Sequence, residues 1–122
     1  MKLFYAFALC ALTAAGAATA ATGNPTVAKK SVSYVCQQGK KLTVSYGFNK
    51  QGMPNYAVAK LNGRNRIMDI NLDRSDNVDN FFIDEGGYTL GTGNLTTQSY
   101  RKLPVMITSP KNEILFKNCM PR

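Results

Sequence analysis

Polar and apolar residues alternate along much of the chain beyond residue 30. Val32, Tyr34 and Cys36 fall on one side of an extended segment, with polar or exposed positions between them. After a turn around Gly39, Leu42, Val44, Tyr46 and Phe48 repeat the pattern. A period of two puts successive side chains on opposite faces of a strand, so both runs read as half-buried strands. Residues 49–54 read as a loop around Gly52, and residues 56–61 as a third strand. Asn62-Gly63 then closes a hairpin, because both residues tolerate the positive φ that a two-residue turn demands. A fourth strand is expected over residues 64–72.

The second half alternates less strictly. Residues 73–80 are polar and read as a long loop, residues 81–83 as a short strand, and Glu85-Gly86-Gly87 as a turn. Residues 88–90 form another strand, which Gly91, Gly93 and Asn94 break before a longer one over residues 99–108. Ser109-Pro110-Lys111-Asn112 is a turn, and residues 113–117 form the last strand, leading to Cys119. No stretch beyond the N-terminus carries a helical period. Seven or eight short strands joined by tight turns predict an all-β, antiparallel barrel or sandwich. Closing it into a barrel would remove the unpaired edges along which small sheets aggregate.

The first twenty residues stand apart. Lys2 precedes an uncharged apolar run over residues 3–15, and Ala18-Thr19-Ala20 supplies the small-x-small pattern of a cleavage site. The run is shorter than the ~20 residues that span a bilayer, so residues 1–20 are expected to be a cleaved signal peptide. Cys10 is a passenger in it, since Leu9 precedes it and apolar sequence follows. Residues 21–30 are small, polar and basic, and read as a flexible tail ahead of a single domain over residues 31–122. Export leaves two cysteines, Cys36 and Cys119, which an oxidising compartment is expected to join. A loop of that length is worth roughly 4–5 kcal/mol by chain entropy, comparable to the net stability of a small domain.

Charge narrows the range of partners. The chain carries a formal +8, and fourteen cations face seven acids once Lys2 is set aside. Six of those acids (Asp69, Asp73, Asp76, Asp79, Asp84 and Glu85) lie in one stretch, so the remainder is strongly basic. Such a surface suits anionic partners, including carboxylate-lined clefts.

Catalytic chemistry finds little here. The chain has no histidine, which removes the Ser-His-Asp and Cys-His arrangements and any helper for a reactive thiol. The carboxylates sit in a polar stretch that reads as solvated surface and not as a glycosidase pair. Asp69, Asn71, Asp73, Ser75 and Asn77 alternate like the start of a calcium loop, but Arg74 and Asn80 occupy the places that need glycine and a bidentate glutamate. No metal, other cofactor or nucleic acid is expected, and the protein reads as a binding module. Its most suggestive segments are Asp84-Glu85-Gly86-Gly87-Tyr88, a glycine turn with bare backbone, and Ser99-Tyr100-Arg101-Lys102-Leu103-Pro104, which sets two cations beside two hydrogen-bonding groups and stops at a proline. Tyrosine and arginine are the residue types that most often anchor interfaces.

Tyr34-x-Cys36, Gly86-Gly87-Tyr88-Thr89 and the closing Asn118-Cys119 together resemble the MliC-type inhibitors of c-type lysozyme. A closer resemblance, to the neisserial adhesin complex proteins, is carried by residues 24–52 and by SDNV, YTLGTG and SYRK at residues 75–78, 88–93 and 99–102. It spans residues 24–122. The resemblance implies an eight-stranded antiparallel barrel, residence in the periplasm or at the outer-membrane surface of a Gram-negative bacterium, a c-type lysozyme as partner, and adhesion to a host-cell ligand. It leaves the oligomeric state open, a homodimer included.

In the MliC family a serine of an SGxxY-type loop and a lysine of a later loop enter the lysozyme cleft. Counting back from Cys119 brings Lys102 onto that lysine, whereas counting back from Tyr88 brings Asp84 onto the serine. The lysine therefore carries over and the serine does not, leaving Thr92, Ser99 or glycine N–H groups as substitutes. The resemblance thus implies a main contact loop of Ser99, Tyr100, Arg101 and Lys102, with Gly86, Gly87 and Tyr88 as the second. C-type lysozymes are typically basic, so the acidic stretch is expected to offset the repulsion between two cationic partners. The rival expectation is an adhesin that binds a host-cell ligand through its basic face.

Overall fold

The computed structural model describes residues 24–122. The expected signal peptide, Cys10 and the first three residues of the expected tail lie outside the described residues. Eight strands run in order: β1 Ala28–Val35, β2 Lys41–Phe48, β3 Pro54–Leu61, β4 Arg64–Ile70, β5 Asp79–Ile83, β6 Thr89–Gly93, β7 Val105–Thr108 and β8 Ile114–Pro121. Each pairs antiparallel with the next, and β8 returns to β1, so the sheet is a closed barrel. A 3-10 turn, Gln37–Gly39, joins β1 to β2.

Alternation fills the interior. Val32 and Tyr34 of β1, Leu42, Val44, Tyr46 and Phe48 of β2, and Ala57, Ala59 and Leu61 of β3 point inward and are buried. Met68, Phe82, Leu90 and Ile107 complete the core from the other strands. At 25 cal/mol per Å², the larger of these side chains contribute about 1.5–3 kcal/mol each relative to exposure, and the alanines less. Two small residues take their place on the outer wall for a reason of space. An ideal Cβ at Gly47 would lie 2.3 Å from the Tyr56 ring, and one at Gly91 would lie 3.2 Å from Phe81. Each aromatic covers the glycine opposite it in the register.

The barrel is built from two four-stranded meanders that meet at two short seams. At the first, Asp69 faces Ile83 and Ile70 faces Phe82. At the second, Tyr34 faces Pro121 and Val35 faces Met120. Side chains clamp both. The second seam carries the Cys36–Cys119 disulfide. Beside it the Gln37 amide donates to Leu115 O at 3.1 Å and accepts from Lys117 N at 2.9 Å, serving β8 as a missing strand would. At the first seam Arg66 reaches Asp84 at 3.3 Å and stacks 4.0 Å over the Tyr88 ring. Replacing Arg66 with Met should cost about 2 kcal/mol, since it leaves Asp84 under cover without its cation. Urea unfolding would measure this, and a loss under about 0.5 kcal/mol, the level of an ordinary surface change, would show that the seam holds without the pair.

Inside the core the Tyr34 and Tyr46 hydroxyls share a hydrogen bond of 2.6 Å. Burial pushes the Tyr34 hydroxyl up to about 12, against the opposing effect of that bond. Burial and the neighbouring Tyr34 also raise Tyr46 well above its ordinary value. Because the folded values lie above the unfolded value near 10, the pair's contribution is complete below pH ~10 and is lost as pH rises toward 12. Stability should therefore fall by up to ~1.4 kcal/mol per pH unit for each tyrosine across that window. Unfolding at pH 9 and pH 11 should show a smaller difference for Tyr34→Phe/Tyr46→Phe than for the wild type; equal differences would refute the assignment.

Several boundaries differ from those expected. Ala28, Lys29 and Lys30, grouped with the tail by composition, pair with Phe48, Gly47 and Tyr46. The fourth strand stops at Ile70, and β5 starts already at Asp79. β6 runs straight through Gly91 to Gly93. Residues 99–103 are turn and loop instead of strand, and only residues 105–108 form β7. The last strand continues through Cys119 to Pro121.

Candidate functional site

Connections alternate between the two ends of an antiparallel barrel. One end therefore carries the connections at residues 49–53, 71–78 and 94–104, and the other carries residues 36–40, 62–63, 84–88 and 109–113. Contacts agree with this division. Thr97 N donates to Gly52 O at 3.2 Å on the first end, and Gly87 lies against Pro110 on the second.

The loop over residues 94–104 holds Ser99, Tyr100, Arg101 and Lys102 in one turn, where the residue pattern led to a strand. Its rigidity comes from anchors at both sides. Leu95 is fully buried, and its N–H donates to the Asn80 side chain at 2.8 Å. Thr92 Oγ1 donates to Pro104 O at 2.8 Å at the far end of the loop. Between them, Ser99 Oγ donates to Asn94 O at 2.8 Å and accepts from Thr96 N at 2.9 Å. The Tyr100 ring is half-buried, 5.8 Å from Phe48 at the edge of the core. Lys102 N closes the turn on Ser99 O at 2.8 Å. Arg101 and Lys102 are left exposed. The one ion pair among the described residues is Arg66–Asp84, so neither cation is neutralised by a described residue.

The four residues thus divide into two kinds. Ser99 and Tyr100 build the loop, and Arg101 and Lys102 present charge from it. Because the turn is bonded internally and plugged into the core, ordering costs on binding fall mainly on two side chains.

The second predicted segment is not beside the first. Gly86, Gly87 and Tyr88 sit at the opposite end, separated by the length of β6, about 16 Å for five extended residues. Gly87 takes a φ of 102°, which a residue with a Cβ rarely adopts. Tyr88 is buried, under the Arg66 guanidinium, and its hydroxyl accepts from Asn62 Nδ2. Asp84 is committed to this turn as well. One carboxylate oxygen accepts from Tyr88 N at 2.9 Å, and the other pairs with Arg66. An acid stands at this position because it organises the seam.

The acidic stretch is likewise divided. Asp73 and Asp76 lie within the loop connecting β4 to β5 and Asp79 follows it, at the end that carries Arg101 and Lys102, while Asp84 and Glu85 lie at the other. The residues that position the cationic loop (Asn80, Thr92 and Leu95) were missed in this role. Leu95, an isolated apolar residue between Asn94 and Thr96, was the available signal.

Residues 30–121 match the family model described as the ACP-like domain. Among solved structures, the chain is similar to the Adhesin Complex Protein from Neisseria meningitidis. The two share 62% identity over 77% of this chain and 100% of that one, with a TM-score of 0.72. It is also similar to PliC-St, the periplasmic lysozyme inhibitor of C-type lysozyme from Salmonella typhimurium, at 16% identity. That match covers 78% of this chain and 99% of the other with a TM-score of 0.56, a likeness of fold. No curated protein matches the chain.

Proposed function

The chain belongs to the ACP-like domain family, and from that premise we propose that it is an exported cell-envelope binding protein, not an enzyme, that inhibits a c-type lysozyme. Lys102 and Arg101 occupy the lysozyme's active-site cleft and pair with its catalytic carboxylates, excluding the glycan. The observation that carries this reading is the loop over residues 94–104, which presents two unpaired cations on a turn already anchored to the core. A lysozyme cleft offers the complementary target, one acid of raised pKa beside an ionised carboxylate. Asp73, Asp76 and Asp79 stand at the same end and meet the basic rim of the enzyme.

The Gly86-Gly87 turn, one strand length away, lies outside the main contact. The Ser99 and Thr92 hydroxyls are spent on Asn94 and Pro104, so neither replaces the family serine in this reading.

A second role, adhesion to a host-cell ligand, is supported by the 62% identity to a protein described as an adhesin complex protein. The basic surface outside the acidic stretch would serve it.

Cell-wall lysis by human c-type lysozyme, titrated with the oxidised protein, tests the principal reading. Activity should disappear near a one-to-one ratio. Full activity at large excess would sink inhibition of that enzyme and leave adhesion as the function.

A further inference from the structure

The end of the barrel that carries Arg101 and Lys102 also holds a cavity of about 930 Å³, between residues 24–26, 49–56 and 69–80. That size is within the ~300–1,000 Å³ typical of small-molecule sites. None of the loop cations lines it.

Its chemistry is specific. Asn49 is only 8% exposed, and its Oδ1 accepts from Gln51 N at 2.9 Å and Met53 N at 3.0 Å. Its Nδ2 has no partner among the described residues, and Asn49 is one of the residues lining the cavity. Asp69 is exposed and makes no ion pair among the described residues. Asp76 uses Oδ1 to accept from Val78 N and Asp79 N, both at 2.8 Å, which leaves its other oxygen open. The exposed Asn77 side chain has no hydrogen-bond partner among the described residues. The Tyr56 ring covers Gly47 and also lines the cavity.

An occupant must therefore donate to carboxylates, accept from a nearly buried amide, and lay apolar surface on an aromatic ring. Lysine and arginine side chains donate but accept nothing, so they leave Asn49 Nδ2 unanswered. Phosphate and sulfate offer acceptors in place of donors, and they and the carboxylate of sialic acid are repelled by Asp69 and Asp76. Sugar hydroxyls both donate and accept, and a pyranose has an apolar C–H face. The geometry points to a neutral-saccharide site here, with Asp69 and Asp76 accepting from hydroxyls, Asn49 and Asn77 donating to them, and Tyr56 carrying the C–H face. This site uses neither Arg101 nor Lys102 and shares only Asp76 with the acidic residues placed against the lysozyme rim, and its charge preference is opposite to that of a basic adhesive surface.

The oxidised chain should be applied to a printed array of neutral, sialylated and sulfated oligosaccharides, at about 0.15 M and about 0.5 M salt, where surface electrostatics are screened differently. Neutral glycans should bind equally at both. Asp69→Ala and Asn77→Ala, both at exposed positions, should weaken that binding about tenfold or more, while Lys102→Ala leaves it unchanged. Three results would overturn the assignment: no neutral glycan bound, neutral binding intact in both cavity variants, or binding confined to anionic glycans and lost at high salt. Because Lys102→Ala is included, failure here is separable from failure of the lysozyme reading.

Discussion

Reduction of the Cys36–Cys119 bridge is expected to lower the barrel's stability by about 4–5 kcal/mol and its melting temperature by roughly 20 °C or more. The bond closes a loop of 83 residues, nearly the whole of the paired structure, so its removal restores a large chain entropy to the unfolded state. It also lies at the seam where β8 meets β1 through only two residue pairs. Without it that seam retains the Arg122 N to Ser33 O bond at 3.0 Å and the Gln37 amide, interactions worth roughly 1 kcal/mol each. Both cysteines are buried, so the paired change Cys36→Ser/Cys119→Ser adds two covered hydroxyls to the loss. Calorimetry of the oxidised protein, the reduced protein and that variant would measure the effect. A drop of less than about 5 °C, or about 1 kcal/mol, would mean that the seams close the barrel without covalent help.

The four long strands of the first meander were legible because each has a buried face and a wet face, so alternation survives in the residue order. Leu42 to Phe48 is the clearest case, with four inward residues in seven positions. The second meander was harder to read because its information is held between strands. Gly91 reads as a breaker, yet it sits within β6 because Phe81 from the neighbouring strand occupies the space of its side chain. Residues 99–104 read as extended, but Leu95 in the core and Asn80 on β5 pull the chain into a turn. These are contacts across 15 residues of chain, and no local period reports them.

One consequence reached the candidate site. Once β6 is broken at Gly91, the turn at residues 84–88 and the loop at residues 94–104 look like neighbours. With β6 intact over Thr89–Gly93, antiparallel parity alone sends them to opposite ends. Asp84 shows a related limit. Its charge is visible in the chain, but its role depends on Arg66, 18 residues earlier and on the other side of a seam.

Lys102→Ala is expected to weaken lysozyme inhibition by about 2–5 kcal/mol, roughly thirty-fold to several-thousand-fold in the inhibitory concentration. Such losses follow when one member of a buried charge pair is removed, because the other stays desolvated without a partner. The free inhibitor should be unharmed. Lys102 is exposed, its side chain makes no hydrogen bond among the described residues, and the Lys102 N to Ser99 O bond belongs to the backbone. Its melting temperature should therefore match the wild type, which separates lost contact from lost fold. Lys102→Met keeps most of the apolar stem and removes the ammonium group, so it should fall with the alanine variant. Arg101→Ala, by contrast, should lose less if Lys102 alone reaches the catalytic carboxylates. The decisive comparison is the Arg101→Ala/Lys102→Ala double variant. If it still inhibits at the wild-type ratio, the anchored cationic loop is not the contact. Inhibition would then have to come from another surface, with the bare Gly86-Gly87 turn at the opposite end the next to test.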